Sequence, residues 1–117
     1  MSSSMMAVKD LNHLQEVLDM AKGESKLLVL EFMGSVNSAC EFMRPIMEDK
    51  IVPAFKNRAY FYTLDVNDKN FKDLKKRWKV EALPDFVMVK NDARVNRLVT
   101  TDKDELMAAI TNGLDKA

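Results

Sequence analysis

The pattern of apolar and polar positions predicts a chain in which helices and strands alternate. Apolar residues recur at helical spacing after Asp10, and Gly23 follows them as a stop signal. The next run, Leu27–Met33, is almost continuously apolar, which is typical of a short strand buried on both faces of a sheet. One charged residue, Glu31, lies inside that run. A helix followed by a buried strand is therefore the first predicted unit.

The rest of the chain continues this alternation. A second helix is expected to begin near Ser38, because Ser38 and Glu41 have the spacing of a capping box. Pro45 lies inside this helix and is expected to kink it. Strands joined by helices predict a parallel part of a sheet, and a final hairpin adds an antiparallel part. The later predicted elements are a strand at 59–66, a short helix at 71–78, two strands at 86–90 and 95–99 around a turn at 91–92, and a helix capped by Thr101 or Asp102.

Length and charge narrow the class of protein. The 117 residues fit one domain, which we expect at 7–117 behind a flexible N-terminus at 1–6, with Ala7–Val8 as a candidate first strand. Lys plus Arg and Asp plus Glu both number 18, so nothing favours a nucleic-acid partner. No apolar run approaches the roughly 18 residues of a membrane span, and 1–6 lacks the regions of a signal peptide. The sequence therefore predicts a cytoplasmic protein that does not enter membranes.

The chain has a single cysteine, Cys40, and a single histidine, His13. One cysteine forms no internal disulfide and no cysteine-based zinc site. We therefore expect no structural bridge, no metal and no cofactor.

Four stretches of the chain form a pattern that is typical of one family, and they are Leu28–Phe32, Cys40 with Phe42 and Pro45, Asp65–Val66, and the string from Trp78 through Val80, Ala82 and Pro84 to Phe86. With these stretches the chain resembles thioredoxins, particularly those of the plant h type, over about residues 8–115. The resemblance implies the thioredoxin fold, an α/β architecture with a central mixed sheet of about five strands flanked by four helices.

The resemblance also locates a degenerate active site. The family carries Trp-Cys-Gly-Pro-Cys at the start of its second helix, and the corresponding residues here are Val36, Asn37, Ser38, Ala39 and Cys40. Asn37 stands at the attacking cysteine, and disulfide exchange requires a thiolate. Glu31 takes the position of the family's buried acid. The resemblance thus predicts an atypical, redox-inactive member that lacks disulfide reductase activity and is not an enzyme.

What remains of the family pattern is a protein-binding groove. The resemblance implies that Pro84 is cis and that its loop pairs with extended target segments, a form of strand addition. The residue after it, usually Thr in the family, is Asp85. We expect binding of protein clients or of one specific partner, with a chaperone-like (holdase) or regulatory role. The expected binding residues are Met33, Val36, Ser38, Ala39, Leu83, Pro84, Val99 and Thr100.

Two other functions remain open. Cys40 is either the reactive group of a monothiol redox protein or sensor, or a buried thiol that packs as a small hydrophobe. Alternatively, the chain is a structural subunit of a larger complex. The sequence indicates no oligomeric state.

Overall fold

The computed structural model describes residues 5–116, which form a mixed five-stranded sheet with helices on both faces. The strands are β1 (Met6–Ala7), β2 (Leu27–Met33), β3 (Ala59–Asp65), β4 (Asp85–Lys90) and β5 (Ala93–Val99). The helices are α1 (Leu11–Gly23), α2 (Ser38–Ile46), α3 (Val52–Ala54), α4 (Leu74–Arg77) and α5 (Lys103–Leu114). A π-helical segment, Met47–Ile51, joins α2 to α3 without a break, and a 3₁₀ turn, Lys69–Phe71, precedes α4.

The sheet has the order β1-β3-β2-β4-β5. The first three strands in that order are parallel, β4 is antiparallel to β2, and β5 is antiparallel to β4. The predicted mixed sheet is confirmed, although its antiparallel part is larger than the final hairpin alone. The hairpin turns at Asn91 and Asp92, whose φ angles of 52° and 65° lie in the left-handed region that Asn and Asp tolerate.

The central strand β2 divides the core into two layers. Its side chains alternate between the faces, as they do in any strand. Leu28, Leu30 and Phe32 pack with α1 and α4, whereas Leu27 and Val29 pack with the α2–α3 helical stretch and α5. Because both faces are covered, the continuously apolar run is explained by burial on both sides. The one acid of that run, Glu31, faces the α2 side.

The N-terminal strand begins earlier than the sequence indicated. Met6 pairs with Tyr62 on β3, and the backbone N–H of Val8 donates to Thr63 O at 2.8 Å. Met6 is therefore a strand residue, which corrects the expectation that a flexible N-terminus extends to residue 6. Residues 1–4 of that predicted segment lie outside the described residues.

The second helix is long and irregular. Pro45 and Pro53 have no N–H, so each removes one donor from the helical ladder. Between them the helix is wound as a π-helix, and Val52 donates to the carbonyl of Met47 five residues earlier. The interruption expected from Pro45 therefore takes the form of a π-helical segment.

None of the helices in residues 5–116 has the length and apolar character needed to cross a bilayer.

Candidate functional site

The loop between β2 and α2 ends in a residue that caps the helix. Asn37 has extended backbone angles, and its Oδ1 accepts a hydrogen bond from the backbone N–H of Cys40 at 3.0 Å. This geometry corrects the predicted capping box, because Ser38 is already the first helical residue. Both Asn and Ser are favoured caps, so residue type alone did not separate them. At the position that the resemblance assigns to the family's attacking thiol, the structure therefore has a helix cap.

Cys40 lies in the first turn of α2 and is only 3% exposed. Burial raises the pKa of its thiol, and the negative charges of Glu31 and Asp65 raise that pKa further. A backbone hydrogen bond with Gly34 and the charge of Arg44 act in the opposite direction without cancelling the effect. Since only the thiolate is nucleophilic, this environment lowers the intrinsic reactivity of Cys40 at neutral pH.

Glu31 is a buried carboxyl group beneath the start of α2. It is 4% exposed, and it pairs across the sheet with Thr63 on β3. Burial raises the pKa of this carboxyl to about 7, against a smaller lowering by the positive charge of Arg44. The carboxyl group is thus poised to change charge near neutral pH.

Glu31 and Cys40 share the wall of one cavity. The cavity has a volume of about 230 Å³ and lies between β1, β2, β3 and the helical stretch that begins with α2. Arg44, Met33 and Met47 also line it. Met33 therefore lies beside the thiol and the buried acid.

The predicted groove residues differ in exposure. Val36 is 88% exposed and Val99 is 46% exposed, so both present apolar surface to solvent. Ser38 is exposed, whereas Ala39 and Leu83 are half-buried. These residues leave mainly aliphatic groups on the surface around the β2–α2 loop.

Two other predicted groove residues are buried. Pro84 follows a cis peptide bond from Leu83, as the resemblance implied, and is itself buried. Thr100 is 8% exposed. Its Oγ1 donates to Glu105 Oε1 at 2.5 Å and accepts from the backbone N–H of Asp102 at 2.9 Å. The side chain of Thr100 thus supports the start of α5, and only its backbone remains for a partner.

Packing at Gly34 brings two of the groove segments together. A Cβ atom placed on Gly34 would lie 3.2 Å from Asn67 Nδ2, 3.4 Å from Leu83 Cδ1 and 3.5 Å from Asn37 Cβ. Asp85, which directly follows Pro84, lies opposite Val99 in the β4–β5 register. The β2–α2 loop, the proline loop and the end of β5 are therefore neighbours.

An ion pair that sequence reasoning missed supports this region. Arg97 Nε lies 3.1 Å from both carboxylate oxygens of Asp85, and Arg97 Nη2 lies 2.7 Å from Asp85 Oδ2. The same Nη2 donates to Lys79 O at 3.2 Å. Asp85 is 2% exposed, so this guanidinium is its main charge partner. The sequence offers one indication of this ion pair, because Asp85 and Arg97 have opposite charges and lie at the two arms of the predicted hairpin.

Among residues 5–116 there is no group of three or more His, Cys, Asp or Glu side chains that could hold a metal ion.

Comparisons with known proteins agree with the fold. A sequence model named Thioredoxin matches residues 4–112. Thioredoxin H4 of Arabidopsis thaliana is 36% identical over 80% of this chain and 76% of its own length. Thioredoxin H2-1 of rice is 32% identical over 92% of this chain and 75% of its own length.

Solved structures agree as well. Thioredoxin NaTrxh of Nicotiana alata superposes with a TM-score of 0.84 at 26% identity, covering 97% of this chain and 95% of that one. A poplar thioredoxin h superposes with a TM-score of 0.87 at 21% identity, covering 97% and 99%, which supports the fold alone. The predicted fold is confirmed.

The same comparisons correct one expectation. The chain was predicted not to be an enzyme, yet the homologues are named thioredoxins, and thioredoxins are disulfide oxidoreductases. The prediction of a non-enzyme is therefore wrong. What distinguishes this chain from a two-cysteine reductase is its single thiol, Cys40, which fits loss of the dithiol reaction.

Proposed function

Because the chain belongs to the thioredoxin family, with plant h-type homologues, we propose that it binds extended segments of other proteins, in a chaperone-like or regulatory role. The binding surface, called here the client groove, comprises the β2–α2 loop at 36–39, the proline loop at 83–84 and the end of β5 at 99–101. Segments would bind by strand addition to the backbone of the proline loop. The partners are therefore protein clients, recognised by backbone and apolar contact.

The observation that carries this proposal is the exposed apolar surface of the groove. Val36, at 88% exposure, is the most exposed large hydrophobic residue described, and Val99 is 46% exposed. Large apolar groups left in contact with water are sites where burial by a partner is favourable, at about 25 cal/mol per Å². Leu83 is half-buried, with its Cδ1 next to Gly34.

The residues of the β2–α2 loop favour a bound segment that is not released by thiol exchange. In a dithiol cycle the second cysteine attacks the mixed disulfide between the first cysteine and the target, so the target leaves as a thiolate while the two cysteines become disulfide-bonded. Here Asn37 caps α2 and has no thiol, and burial raises the pKa of the Cys40 thiol. A segment held in the client groove would then leave only by dissociation. A chain with one free thiol also suits a reducing compartment, and we propose the cytoplasm.

A second candidate function is monothiol chemistry at Cys40, in keeping with the oxidoreductase family. The observation that favours it is the cavity of about 230 Å³ whose wall includes Cys40 and none of the client-groove residues. This function predicts rapid alkylation of Cys40 by a small electrophile. An alkylation rate equal to that of the unfolded chain, or slower, would count against it.

The proposed function can be tested by suppression of client aggregation. The native chain should delay the aggregation of a heat-denatured client, and Val36→Ser should weaken that effect severalfold. Leu11→Ser is the matched control, because Leu11 is 45% exposed on α1 and lies outside the client groove. Equal protection by the native chain and both variants, or no protection at any ratio, would reject the proposal. Recovery of one stoichiometric partner in place of many clients would instead indicate a subunit of a larger complex.

A further inference from the structure

A strongly basic surface lies beside the proline loop. An open cleft of about 540 Å³ is lined by Val80, Glu81 and four lysines, which are Lys72, Lys75, Lys76 and Lys79. All four lysines are exposed, and none of the ion pairs found among residues 5–116 includes one of them. Positive charges gathered around one cleft repel one another. The fold thus keeps an unbalanced cluster of positive charge in a chain whose net charge is zero.

The backbone at Lys79 is unusual for a lysine. Helix α4 ends in a Schellman motif, in which Val80 N donates to Lys75 O at 2.8 Å. In the same motif Lys79 N donates to Lys76 O at 3.1 Å. Lys79 has a φ of 55°, in the left-handed region, and this position of the motif is usually glycine. The chain therefore carries a positive charge where its backbone favours a residue without a side chain.

The cleft borders the client groove through the proline loop. Glu81, in the wall of the cleft, is two residues from Leu83 in the groove, so their Cα atoms are at most about 7 Å apart. Arg97 ties the two parts together, because its Nη2 donates to Lys79 O at 3.2 Å and also pairs with Asp85. A segment held at the proline loop would reach the cleft within about three further residues, at roughly 3.3 Å per residue.

We propose that this cleft binds the acidic flank of a client, a run of Asp and Glu residues next to the extended segment in the client groove. The inference rests on the proposed function and names the class of client that the groove selects. Lysines suit such a run, because each ammonium group is a compact charge on a flexible stem and needs no fixed geometry at the carboxylate. The positive charge favours acidic clients over neutral ones and speeds their association.

The surroundings of the cleft favour a protein segment over a nucleic acid. Proteins bind single strands by stacking bases on aromatic side chains. The aromatic residues that adjoin these lysines in the chain are already packed. Phe71 is buried, and the ring of Trp78 packs on Phe32 and has Arg94 Cζ 4.2 Å from its centroid. Glu81 also places a negative charge in the wall of the cleft. The cleft thus offers charge without a surface for stacking.

Peptides that differ only in one flank provide the first test. Each has the same extended apolar core without cysteine, with a run of Glu or of Gln before or after it. At low salt the native chain should bind one of the two acidic peptides about tenfold more tightly than its neutral counterpart, because exposed ion pairs each contribute modestly. The advantage should shrink as salt screens the charges. Equal affinities at low salt, or tighter binding of a single-stranded RNA, overturn the proposal.

Charge variants provide the second test. Lys72→Gln with Lys76→Gln should bring the ratio of the acidic to the neutral affinity close to one. Lys50→Gln with Lys56→Gln is the matched control, because it changes the net charge equally and should keep the native ratio. Both control lysines are exposed, lie between α2 and β3 and do not line the cleft. Equal ratios in the two double variants overturn the proposal.

Lys79→Gly separates binding from stability. Glycine fits the left-handed backbone at this position, so the variant should have a higher urea midpoint than the native chain. Its preference for the acidic peptide should nevertheless fall severalfold. A native preference in Lys79→Gly overturns the proposal. The neutral peptide reports on the client groove alone, so its failure to bind counts against the proposed function, whereas equal binding of both peptides counts only against the cleft.

Discussion

Asp85 and Arg97 form a bidentate ion pair across the β4–β5 hairpin, with Arg97 Nη2 2.7 Å from Asp85 Oδ2. Asp85 directly follows the proline of the client groove and is 2% exposed, whereas the side chain of Arg97 is 30% exposed. Arg97 also binds the carbonyl of Lys79 at 3.2 Å. One guanidinium therefore joins β5, the start of β4 and the loop that leads to the proline.

Removal of Arg97 should destabilise the fold. Arg97→Ala leaves the carboxylate of Asp85 buried without its charge partner, and loss of one member of a buried pair costs about 3–5 kcal/mol. The partial exposure of Arg97 reduces the expected loss to roughly 2–3 kcal/mol of unfolding free energy. Urea denaturation of both chains measures this difference.

The matched control for Arg97→Ala is a surface ion pair. Lys22 Nζ and Asp92 Oδ2 are also 2.7 Å apart, but their side chains are 55% and 47% exposed. Lys22→Ala should therefore change the unfolding free energy by no more than about 1 kcal/mol. Equal losses in the two variants would show that the burial of Asp85 has no part in the effect.

Elements with a strong periodic pattern were predictable from the sequence. The strand at Leu27–Met33 and the helix from Asp10 to Gly23 have the predicted bounds, because burial of an apolar run or face fixes them. The π-helical segment after Pro45 was not predictable in form. The missing N–H of a proline indicates where a helix is interrupted. The packing of Met47 and Ile51 into the core determines that the interruption is a π-helical segment.

Stability should fall as the pH rises through neutrality. The pKa of Glu31 is raised by burial from 4.5 to about 7, so the folded chain holds the proton more tightly than the unfolded chain. The fold therefore keeps its full stability below about pH 4.5 with respect to this group, and loses up to about 3 kcal/mol as the pH rises past 7.

Glu31→Gln should remove that dependence. The amide is neutral at every pH, so this variant should be more stable than the native chain at pH 8 and show a flatter profile between pH 5 and 8. The measurement is the urea midpoint across this range in metal-free buffer, with exposed Glu16→Gln on α1 as the control. A native profile that is flat or rises over the same range contradicts the burial of a charged Glu31.

Replacement of Asn37 by cysteine should lower the free energy of unfolding only modestly. Asn37→Cys removes the cap on Cys40 N, which should cost about 1 kcal/mol. It also places two thiols at the spacing of a dithiol site, so insulin disulfide reduction should rise at least about tenfold above that of the native chain. Asn37→Ser keeps a capping oxygen and adds no thiol. Equal rates in Asn37→Cys and Asn37→Ser would show that the rest of the site no longer supports the exchange.

The sequence indicates a candidate site but not the contacts within it. The resemblance of Val36–Cys40 to the family motif predicts which loop and which thiol belong to that candidate site. The cap formed by Asn37, the burial of Thr100 and the pairing of Asp85 with Arg97 depend on how separate segments meet. Such contacts arise from sheet register and loop packing, which residue patterns specify only in part.

The central claim is that extended segments bind in the client groove, and an NMR titration of the native chain tests it most directly. The probe is an extended apolar peptide without cysteine, which separates binding from thiol chemistry. The largest amide shifts should cluster at 36–39, at Leu83 and at 99–101. Val36→Ser should weaken the peptide affinity several-fold, while Leu11→Ser should leave it unchanged. Shifts centred on α1 or α4, or no shifts at millimolar peptide, would contradict it.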